Sequence, residues 1–320
     1  MKVAIIGAGP VGSWLAGRLA EKGEDVTVFE RKKSSGGKAC SGLVSERIWN
    51  FVEKDAQKVQ AEIEVVELHF PRKTVSVRFR PRMLALDRQK LDIRLAKQAK
   101  SAGAKILFNH DVTSVRENGG RVRICTGKKE ETFDRVIGCD GALSAVRRLF
   151  TNTKPRFRAG LQCFQKTNCK GRSADIWPTD NGFFWKIPRG NMVEWGMFGN
   201  QETTGKAWRE FARKNGLSRL PVQAAVIPEG VQVTGRKNVT LCGDAAGLTK
   251  PWSGGGIIWG LTAARLLLDS WPNFPAYEYR LKRMFMPKIA AGRIATVTVI
   301  ALGNTIPDIL PNSFDSDWLL

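Results

Sequence analysis

The sequence predicts an α/β protein, in which a Rossmann-like nucleotide-binding domain carries an inserted β-rich (α+β) substrate domain. Two observations predict this fold. A β-branched run, an amphipathic helix pattern and a second strand pattern follow one another within the first 30 residues. Strand and helix patterns also alternate near the C-terminus, whereas residues 160–228 hold several strand patterns and one helix pattern. We therefore expect a parallel sheet built from both ends of the chain and a second sheet from its middle.

The first unit is a strand, a helix and a strand. Val3 to Ile6 form an apolar run of the fully buried kind, which stops at Gly7. Residues 10–21 carry apolar side chains at helical spacing, and residues 25–30 alternate as a strand does. A loop is expected at residues 31–42, where glycines and charges replace the apolar periodicity.

The later elements follow the same two periodicities. Residues 87–101 place Leu91, Leu95 and Ala99 on one helix face, and a strand follows at 105–108. Further strands are predicted at 111–116, 121–126, 132–138 and 238–241, and further helices at 203–215 and 255–271. We assign residues 1–55, 87–150 and 235–272 to a discontinuous nucleotide-binding domain. Residues 56–86 and 151–234 are assigned to the substrate domain, and residues 273–320 to a C-terminal helical segment.

Composition restricts the compartment and the partners. The 320 residues carry 51 Lys and Arg against 30 Asp and Glu, a formal net charge of +21, but without an arginine-rich tail, so nucleic acid is not an expected partner. Six cysteines without a C-x-x-C pair are typical of a reducing, cytoplasmic compartment, and with two histidines, His69 and His110, no metal site is expected. The longest late apolar stretch, residues 294–302, is much shorter than the roughly 20 residues that span a bilayer.

A glycine motif lies between the first strand and the first helix. Its G-x-G-x-x-G pattern is formed by Gly7, Ala8, Gly9, Pro10, Val11 and Gly12. The first glycine makes a tight turn, the second allows close approach of a pyrophosphate, and the third packs helix on strand. Glu30, followed by Arg31, ends the second strand, where its carboxylate can accept hydrogen bonds from a ribose diol and disfavours a 2′-phosphate. The sequence therefore predicts FAD or NAD, and not NADP.

Two further strands end in an acidic residue beside glycine. The first gives Asp140 and Gly141, and the second gives Gly243 and Asp244. The second motif continues into a loop and a helix start that contain Pro251, Gly254, Gly255, Gly256 and Ile257. Here a carboxylate could hold a ribityl chain, and glycine amides could bind a flavin edge or a phosphate.

In this order the three motifs resemble the FAD-dependent oxidoreductases of the p-hydroxybenzoate hydroxylase fold. Within that group the chain resembles the archaeal-type geranylgeranyl reductases, which saturate isoprenoid chains of lipids. The resemblance is carried by the Gly243–Ile257 region, by the Asp87-Arg88 helix start and by two short motifs. The two short motifs are Lys38-Ala39-Cys40-Ser41-Gly42 and Phe183-Phe184-Trp185-Lys186-Ile187-Pro188.

The resemblance implies FAD as the cofactor and a place for each motif. Cys40, Ser41, Gly42 and Arg88 would lie against the cofactor, with Cys40 near the flavin ring as a catalytic thiol that keeps its proton in apolar surroundings. Phe183, Trp185, Ile187 and Pro188 would line the substrate cavity. The implied substrate is an isoprenoid lipid or a prenyl diphosphate, and the implied electron donor is ferredoxin or NAD(P)H.

Two other functions remain open. The Phe183–Pro188 stretch also resembles the Trp-x-Trp-x-Ile-Pro motif of flavin-dependent halogenases, so a monooxygenase or halogenase on the same fold is one alternative. The other is a non-catalytic, basic flavoprotein that binds a membrane or nucleic acid.

Basic residues suggest two surface sites. One candidate anion site combines two arginines of a strand with a later basic group: Arg78, Arg80, Arg147, Arg148, Lys154, Arg156 and Arg158. Residues 281–302 combine four cations with large apolar side chains, a pattern that favours peripheral docking on an anionic membrane surface. The cations are Lys282, Arg283, Lys288 and Arg293, and the apolar side chains include Met284, Phe285, Met286, Ile289, Ile294, Val297 and Ile300. The expected location is therefore cytoplasmic, peripheral on the inner face of the membrane.

Overall fold

The computed structural model describes residues 1–55, 59–167, 169 and 171–318. It confirms the predicted fold class. The domain boundaries stay a prediction. The predicted boundary between residues 55 and 56 adjoins residues 56–58, which lie outside the described ranges. The helices are α1 (Pro10–Glu21), α2 (Arg88–Ser101), α3 (Ala145–Phe150), α4 (Gln201–Lys214), α5 (Ile257–Ser270) and α6 (Phe274–Thr305). The strands are β1 (Lys2–Ile6), β2 (Asp25–Glu30), β3 (Leu43–Ser45), β4 (Val59–His69), β5 (Thr74–Leu86), β6 (Lys105–Phe108), β7 (Val112–Asn118), β8 (Arg121–Thr126), β9 (Lys129–Phe133), β10 (Arg135–Gly138), β11 (Arg156–Lys166), β12 (Ser173–Thr179), β13 (Gly182–Pro188), β14 (Met192–Asn200), β15 (Gln223–Glu229), β16 (Val239–Leu241) and β17 (Ser313–Phe314).

The first sheet is parallel throughout, with the strand order β16-β10-β1-β2-β6. Val3, Ala4 and Ile5 are fully buried in its central strand, as expected for a parallel sheet covered on both faces. Helix α1 packs against α2 and α5 over this sheet. Because the strands are parallel, their carboxyl ends meet at one edge, which brings together the glycine and acidic motifs that follow β1, β2, β10 and β16.

The second sheet is mixed and has the order β15-β11-β14-β13-β12-β4-β5-β17, with β3 paired to β5. Its β12–β4 and β17–β5 pairs are parallel, and the other pairs are antiparallel. One face packs against α4 through a cluster that includes Phe184, Met197 and Trp208. The opposite face, here called the inner face, carries a second cluster that includes Ile63, Met83, Trp185, Ile187 and Phe198.

One predicted strand, residues 132–138, is two strands in the structure. Strand β9 pairs with β8 in a third, antiparallel sheet of β7, β8 and β9, and β10 pairs with β1 in the parallel sheet. Asp134 lies between them, and its carboxylate accepts hydrogen bonds from the backbone N of Lys2 (2.8 Å) and Nε of Arg121 (3.1 Å). The hydrogen bond from the Lys2 backbone is the main cause of the lowered pKa of Asp134. The chain therefore passes from the antiparallel sheet to the parallel sheet at Asp134, whose hydrogen bonds hold the backbone at this point.

The C-terminal region differs from the prediction in two ways. Helix α6 begins before and ends after residues 281–302. By length and composition alone it could cross a membrane, so the expectation that residues 294–302 are too short to span a bilayer does not hold for the whole helix. It is nevertheless tied to the protein along one side, since Gly292 packs on the ring of Trp252 and Gly303 on the ring of Phe70. Residues 313–314 are not helical but form β17, which extends the second sheet beside β5.

Buried charges hold the last described residues in place. The carboxylate of Asp317, which is fully buried, accepts hydrogen bonds from Nζ of Lys250 (2.7 Å) and Nη1 of Arg47 (3.2 Å), and from the hydroxyl of Ser45. The indole N of Trp259 donates to the backbone carbonyl of Asp317 (2.8 Å). A buried lysine needs such a partner, because an unpaired charge in this environment is strongly destabilising.

Candidate active site

The first glycine loop has one open position between two crowded ones. A Cβ on Gly7 (φ +106°) would clash with the carbonyl of Cys139, and a Cβ on Gly12 would clash with the carbonyl of Gly7. Nothing lies within 4 Å of the place where a Cβ on Gly9 would be, directly before Pro10 and Val11 at the start of α1. The loop therefore leaves free the space where a pyrophosphate would meet the amino end of a helix.

Glu30 lies at the end of β2 and closes this loop. Its Oε2 accepts a hydrogen bond from the backbone N of Ala8, and its Oε1 accepts one from the backbone N of Lys32, both at 2.9 Å. Each carboxylate oxygen can accept a second hydrogen bond, which suits a ribose diol. The side chain of Arg31 is exposed beside it.

Asp140 has one carboxylate oxygen that is buried and has no partner among the described residues. Its Oδ2 accepts hydrogen bonds from the backbone N of Ala145 (2.6 Å) and Val146 (3.2 Å) and so caps α3. Its Oδ1 is the orphaned atom, and burial raises the pKa of this side chain. Next to it, Gly141 (φ +81°) has open space where a side chain would be. A buried acceptor beside open space fits a hydroxyl group of a bound dinucleotide.

Asp244 forms an ion pair with a residue that we had not predicted. Lys38, 206 positions away, donates from Nζ to its Oδ2, and Asp244 raises the pKa of Lys38. Gly243 (φ +66°) packs against Val11 of α1 where any side chain would intrude. The sequence contained one signal for Lys38, since it is the first residue of the Lys38–Gly42 motif.

The loop after Asp244 is held by its own backbone. The amide of Gly254 donates to the carbonyl of Lys250 (2.8 Å), and the carbonyl of Gly255 accepts from the amide of Lys250 (3.2 Å), around Pro251. A Cβ on Gly256 would lie 2.7 Å from Oδ1 of Asp244, and Ile257 then begins α5. Small residues therefore keep the approach to this carboxylate open.

The Cys40 loop contacts the start of α2. A Cβ on Gly42 would lie 2.5 Å from the carbonyl O of Leu86 and 2.8 Å from Cγ of Arg88, so only glycine fits there. The backbone N of Gly42 donates to Sγ of Cys40 (3.4 Å), and the backbone N of Leu43 donates to Oγ of Ser41 (3.3 Å). Both interactions are local turns that fix the direction of the loop.

Two cations, Arg88 and Lys38, interact with Cys40, so its surroundings are not purely apolar, and the role expected for its thiol stays a prediction. The side chain of Arg88 is largely covered and forms an ion pair with Asp92, with Nη2 to Oδ1 at 3.0 Å. Burial acts to lower the pKa of Arg88, but interactions with Cys40 and Asp92 raise it above its ordinary value. Lys38 also interacts electrostatically with Cys40. Burial raises the pKa of Asp92, and its charged partners act against this effect.

The predicted substrate residues all lie in β13, and three of them, Phe183, Trp185 and Ile187, line the inner face of the second sheet. The ring of Phe183 lies 6.0 Å from that of Trp185 and 5.5 Å from that of Phe198, while Ile187 is buried beside them. The indole N of Trp185 donates to Oε1 of the fully buried Glu194 (3.0 Å). Pro188, also buried, ends the strand. We call Phe183, Trp185, Ile187 and Phe198 the aromatic wall.

The aromatic wall touches the glycine loop that follows Asp244. A Cβ on Gly254 would lie 2.8 Å from Cε2 of Phe198 and 3.3 Å from Cδ1 of Ile227. The structure thus brings together three predicted features that are far apart in sequence: the dinucleotide motifs, the Cys40 loop and the Phe183–Pro188 segment. This proximity is what a redox cofactor facing an apolar substrate requires.

The candidate anion site is divided by the structure. Arg78 and Arg80 lie on β5, whereas Arg156 and Arg158 lie on β11, near the opposite edge of the second sheet. Arg147 is buried and donates to the backbone carbonyls of Ala245 (2.9 Å) and Ala142 (2.5 Å), and Arg148 donates to that of Leu143 (2.7 Å). The prediction of a single anion site that contains all of these residues is therefore wrong. The spacing of residues in the sequence does not reveal which edge of the sheet each strand occupies.

Comparison with known proteins agrees with this geometry. Residues 1–158 match the family described as FAD binding domain. The digeranylgeranylglycerophospholipid reductase of Methanocella arvoryzae is 28% identical over 297 residues, which cover 82% of this chain and 75% of that protein. A geranylgeranyl bacteriochlorophyll reductase-like protein of Thermoplasma acidophilum has a TM-score of 0.84 at 20% identity, covering 99% of this chain and 94% of that one. The myxobacterial chondrochloren halogenase has a TM-score of 0.73 at 16% identity, with coverages of 93% and 82%.

The fold, the dinucleotide motifs and the matched domain define an FAD-dependent oxidoreductase. The orphaned oxygen of Asp140 and the open space at Gly9 fit the cofactor that this class carries. More particularly, the chain is similar to reductases of the geranylgeranyl type, and the resemblance found in the sequence is confirmed.

Proposed function

We propose that this enzyme saturates carbon–carbon double bonds in the isoprenoid chains of lipids or lipid precursors. The observation that carries the proposal is the contact between the aromatic wall and the Gly254 loop, which puts an apolar surface next to the cofactor motifs. The names of the relatives, digeranylgeranylglycerophospholipid reductases, support the same substrate class. The oxidoreductase class disfavours the alternative of a non-catalytic flavoprotein.

We assign FAD to the residues at the carboxyl edge of the parallel sheet. Gly9 and the first turn of α1 would bind the pyrophosphate, Glu30 the adenosine ribose, and Asp140 and Asp244 hydroxyl groups of the cofactor. When bound and reduced, FAD supplies the hydride for the reduction of an alkene. The protein's contribution is to bind the cofactor, orient the chain and exclude water.

The aromatic wall is suited to orient an apolar chain. Trp185 is fixed by its hydrogen bond to Glu194, and Oε2 of Glu194 in turn accepts from Nε of Arg189 (2.9 Å). Because this buried polar network is satisfied, the indole presents a rigid apolar face beside Phe183. Cys40 is our candidate catalytic residue, which protonates or positions the alkene from the loop beside Arg88.

We propose that the enzyme works at the surface of an anionic membrane. Large apolar side chains of α6 and the turn after it point to solvent: Tyr279, Met286, Ile294, Val297, Ile306 and Ile309. Lys282 and Arg283 are exposed on the same helix. The other side of α6 buries Tyr277, Leu281 and Phe285 against the protein, so we expect α6 to lie along the bilayer rather than cross it.

The electron donor is a second part of the proposal. The sequence contains no second G-x-G-x-x-G motif between a strand and a helix, and the net charge is +21. A strongly cationic surface attracts acidic proteins and accelerates their association. We therefore propose an acidic carrier of the ferredoxin type as donor, with NAD(P)H as the alternative.

The test is anaerobic turnover. Protein reduced with dithionite is incubated with geranylgeranylated phospholipid precursors or with geranylgeranyl diphosphate, and the products are analysed by mass spectrometry. The proposal expects a gain of 2 Da for each double bond that is reduced. The alternative is a monooxygenase or halogenase, a function that the similarity in fold to a halogenase keeps open. It would be supported if the prenyl chains stay unchanged and another compound is hydroxylated or halogenated in the presence of oxygen.

A further inference from the structure

Arg158 lies at the end of the aromatic wall and forms no ion pair of its own with a carboxylate in the part of the chain that the structure describes. Its guanidinium carbon lies 4.7 Å from the centroid of the Phe198 ring, and its Nη2 donates to the backbone carbonyl of Asn181 (2.8 Å). Within the described residues its Nε is buried and has no hydrogen-bond partner. A buried donor that remains unpaired is energetically costly, so the unpaired Nε of Arg158 calls for an explanation.

The neighbours of Arg158 increase the local positive charge. Burial and the nearby Arg156 both lower the pKa of Arg158, and the carboxylate of Glu229 acts in the opposite direction. That carboxylate is already engaged, because its Oε1 accepts a hydrogen bond from Nε of Arg293 (2.5 Å). Arg156 is exposed, and its partner within the described ranges is a neutral amide, since its Nη2 donates to Oδ1 of Asn200 at 3.4 Å. Arg156 and Arg158 therefore lie two residues apart on β11, and the carboxylate that acts on Arg158 is already paired with Arg293.

The position of Arg158 relates it to the wall and to the cofactor loop. Phe198, over which its guanidinium lies, also contacts Phe183 and the site of a Gly254 Cβ. A ligand whose apolar part lies on Phe183 and Phe198 would therefore present its end to Arg158. Guanidinium groups bind phosphate oxygens through two parallel hydrogen bonds, and a free Nε is one of the two donors used in that geometry.

We propose that Arg158, assisted by Arg156, binds the phosphate or diphosphate group at the end of an isoprenoid substrate. The inference rests on the proposed function and adds the chemistry of the headgroup. It makes Arg158 a specificity residue that selects phosphorylated prenyl compounds over prenyl alcohols. The phosphate can come from a free prenyl diphosphate or from a lipid phosphate, and the experiment includes both.

Binding to the oxidised, FAD-loaded enzyme tests the inference without turnover. Isothermal titration compares geranylgeranyl diphosphate, digeranylgeranylglyceryl phosphate, geranylgeraniol and inorganic pyrophosphate in the wild type, Arg158→Gln and Arg158→Lys. Loss of charge-assisted hydrogen bonds in Arg158→Gln should weaken binding of the phosphorylated ligands by roughly 10- to 100-fold. Binding of geranylgeraniol should not change, and Arg158→Lys should retain part of the affinity. Arg213→Gln, at an exposed arginine of α4 on the other face of the sheet, is the matched control.

The outcomes separate this inference from the proposed function. A preference of the wild type for one phosphorylated ligand identifies the source of the headgroup. Equal weakening for the alcohol and the diphosphate, or loss of FAD from Arg158→Gln, would overturn the inference and make Arg158 a packing or cofactor residue. Pyrophosphate binding that depends on Arg158, without binding of any prenyl chain, would support the anion site while contradicting the isoprenoid substrate.

Discussion

Replacing two exposed side chains of α6 gives a quantitative test of membrane docking. Ile294 is 69% exposed and Val297 is 70% exposed, and both lie on the side of α6 that faces away from the protein. Complete burial of such a side chain is worth about 1.5 to 3 kcal/mol, so transfer of the exposed part into a bilayer is worth about 1 to 2 kcal/mol for each residue. The double variant Ile294→Ser, Val297→Ser should therefore lose at least about 2 kcal/mol, roughly a 30-fold lower partition coefficient.

Flotation with liposomes measures this partition coefficient. The variant should retain its FAD and its thermal stability, because neither side chain belongs to the buried core. Val222→Ser is the matched control, since Val222 is 46% exposed but lies in the loop before β15. Lys282→Gln with Arg283→Gln should reduce binding to anionic liposomes by about 1 kcal/mol for each charge and leave neutral liposomes unaffected. Equal flotation of the wild type and the double serine variant would refute the docking face.

Four other outcomes are expected. Glu30→Ala should raise the dissociation constant of FAD in a fluorescence titration by roughly 10- to 100-fold, because a charge-assisted hydrogen bond is lost; unchanged affinity would contradict the ribose assignment. Cys40→Ala should lower turnover with FAD content intact, and unchanged turnover would make Cys40 a structural residue. Reduction by ferredoxin should slow as ionic strength rises, whereas fast reduction by NADPH at any salt concentration would contradict that donor. Asp317→Asn should lower the free energy of unfolding in urea by about 3 to 5 kcal/mol, because Lys250 stays buried without a counter-charge; the exposed ion pair of Asp308 provides the control, with an expected loss below about 1 kcal/mol in Asp308→Asn.

Local patterns predicted most of the parallel sheet. The bounds of α1, β2 and β6 agree with the sequence prediction, since buried β-branched runs and helical spacing are signals carried within one segment. The break at Asp134 was not predictable from residues 132–138 alone. It depends on a hydrogen bond from Lys2, which is distant in sequence but adjacent in the sheet.

The candidate site was predicted where a backbone requirement fixes the residue type. The glycines at positions 7, 12 and 42 are needed because a side chain would clash with neighbouring backbone, and such needs appear directly in a sequence. The pair of Lys38 and Asp244 and the separation of Arg80 from Arg158 depend on how distant strands are ordered, which no single segment encodes. The two cations that interact with Cys40 were missed for the same reason.

The interrupted course of the parallel sheet has a consequence for the order of events during synthesis. The central strand β1 is made first, yet the edge strand β16 and the loop at residues 254–256 are made only after β3–β5 and β11–β15 of the second sheet have been translated. The amino-terminal half of the chain therefore leaves the ribosome with an open sheet edge at β10, which β16 later covers. Capture of FAD by the residues assigned to it is consequently a late step, and a nascent chain shorter than about 256 residues should not retain the cofactor.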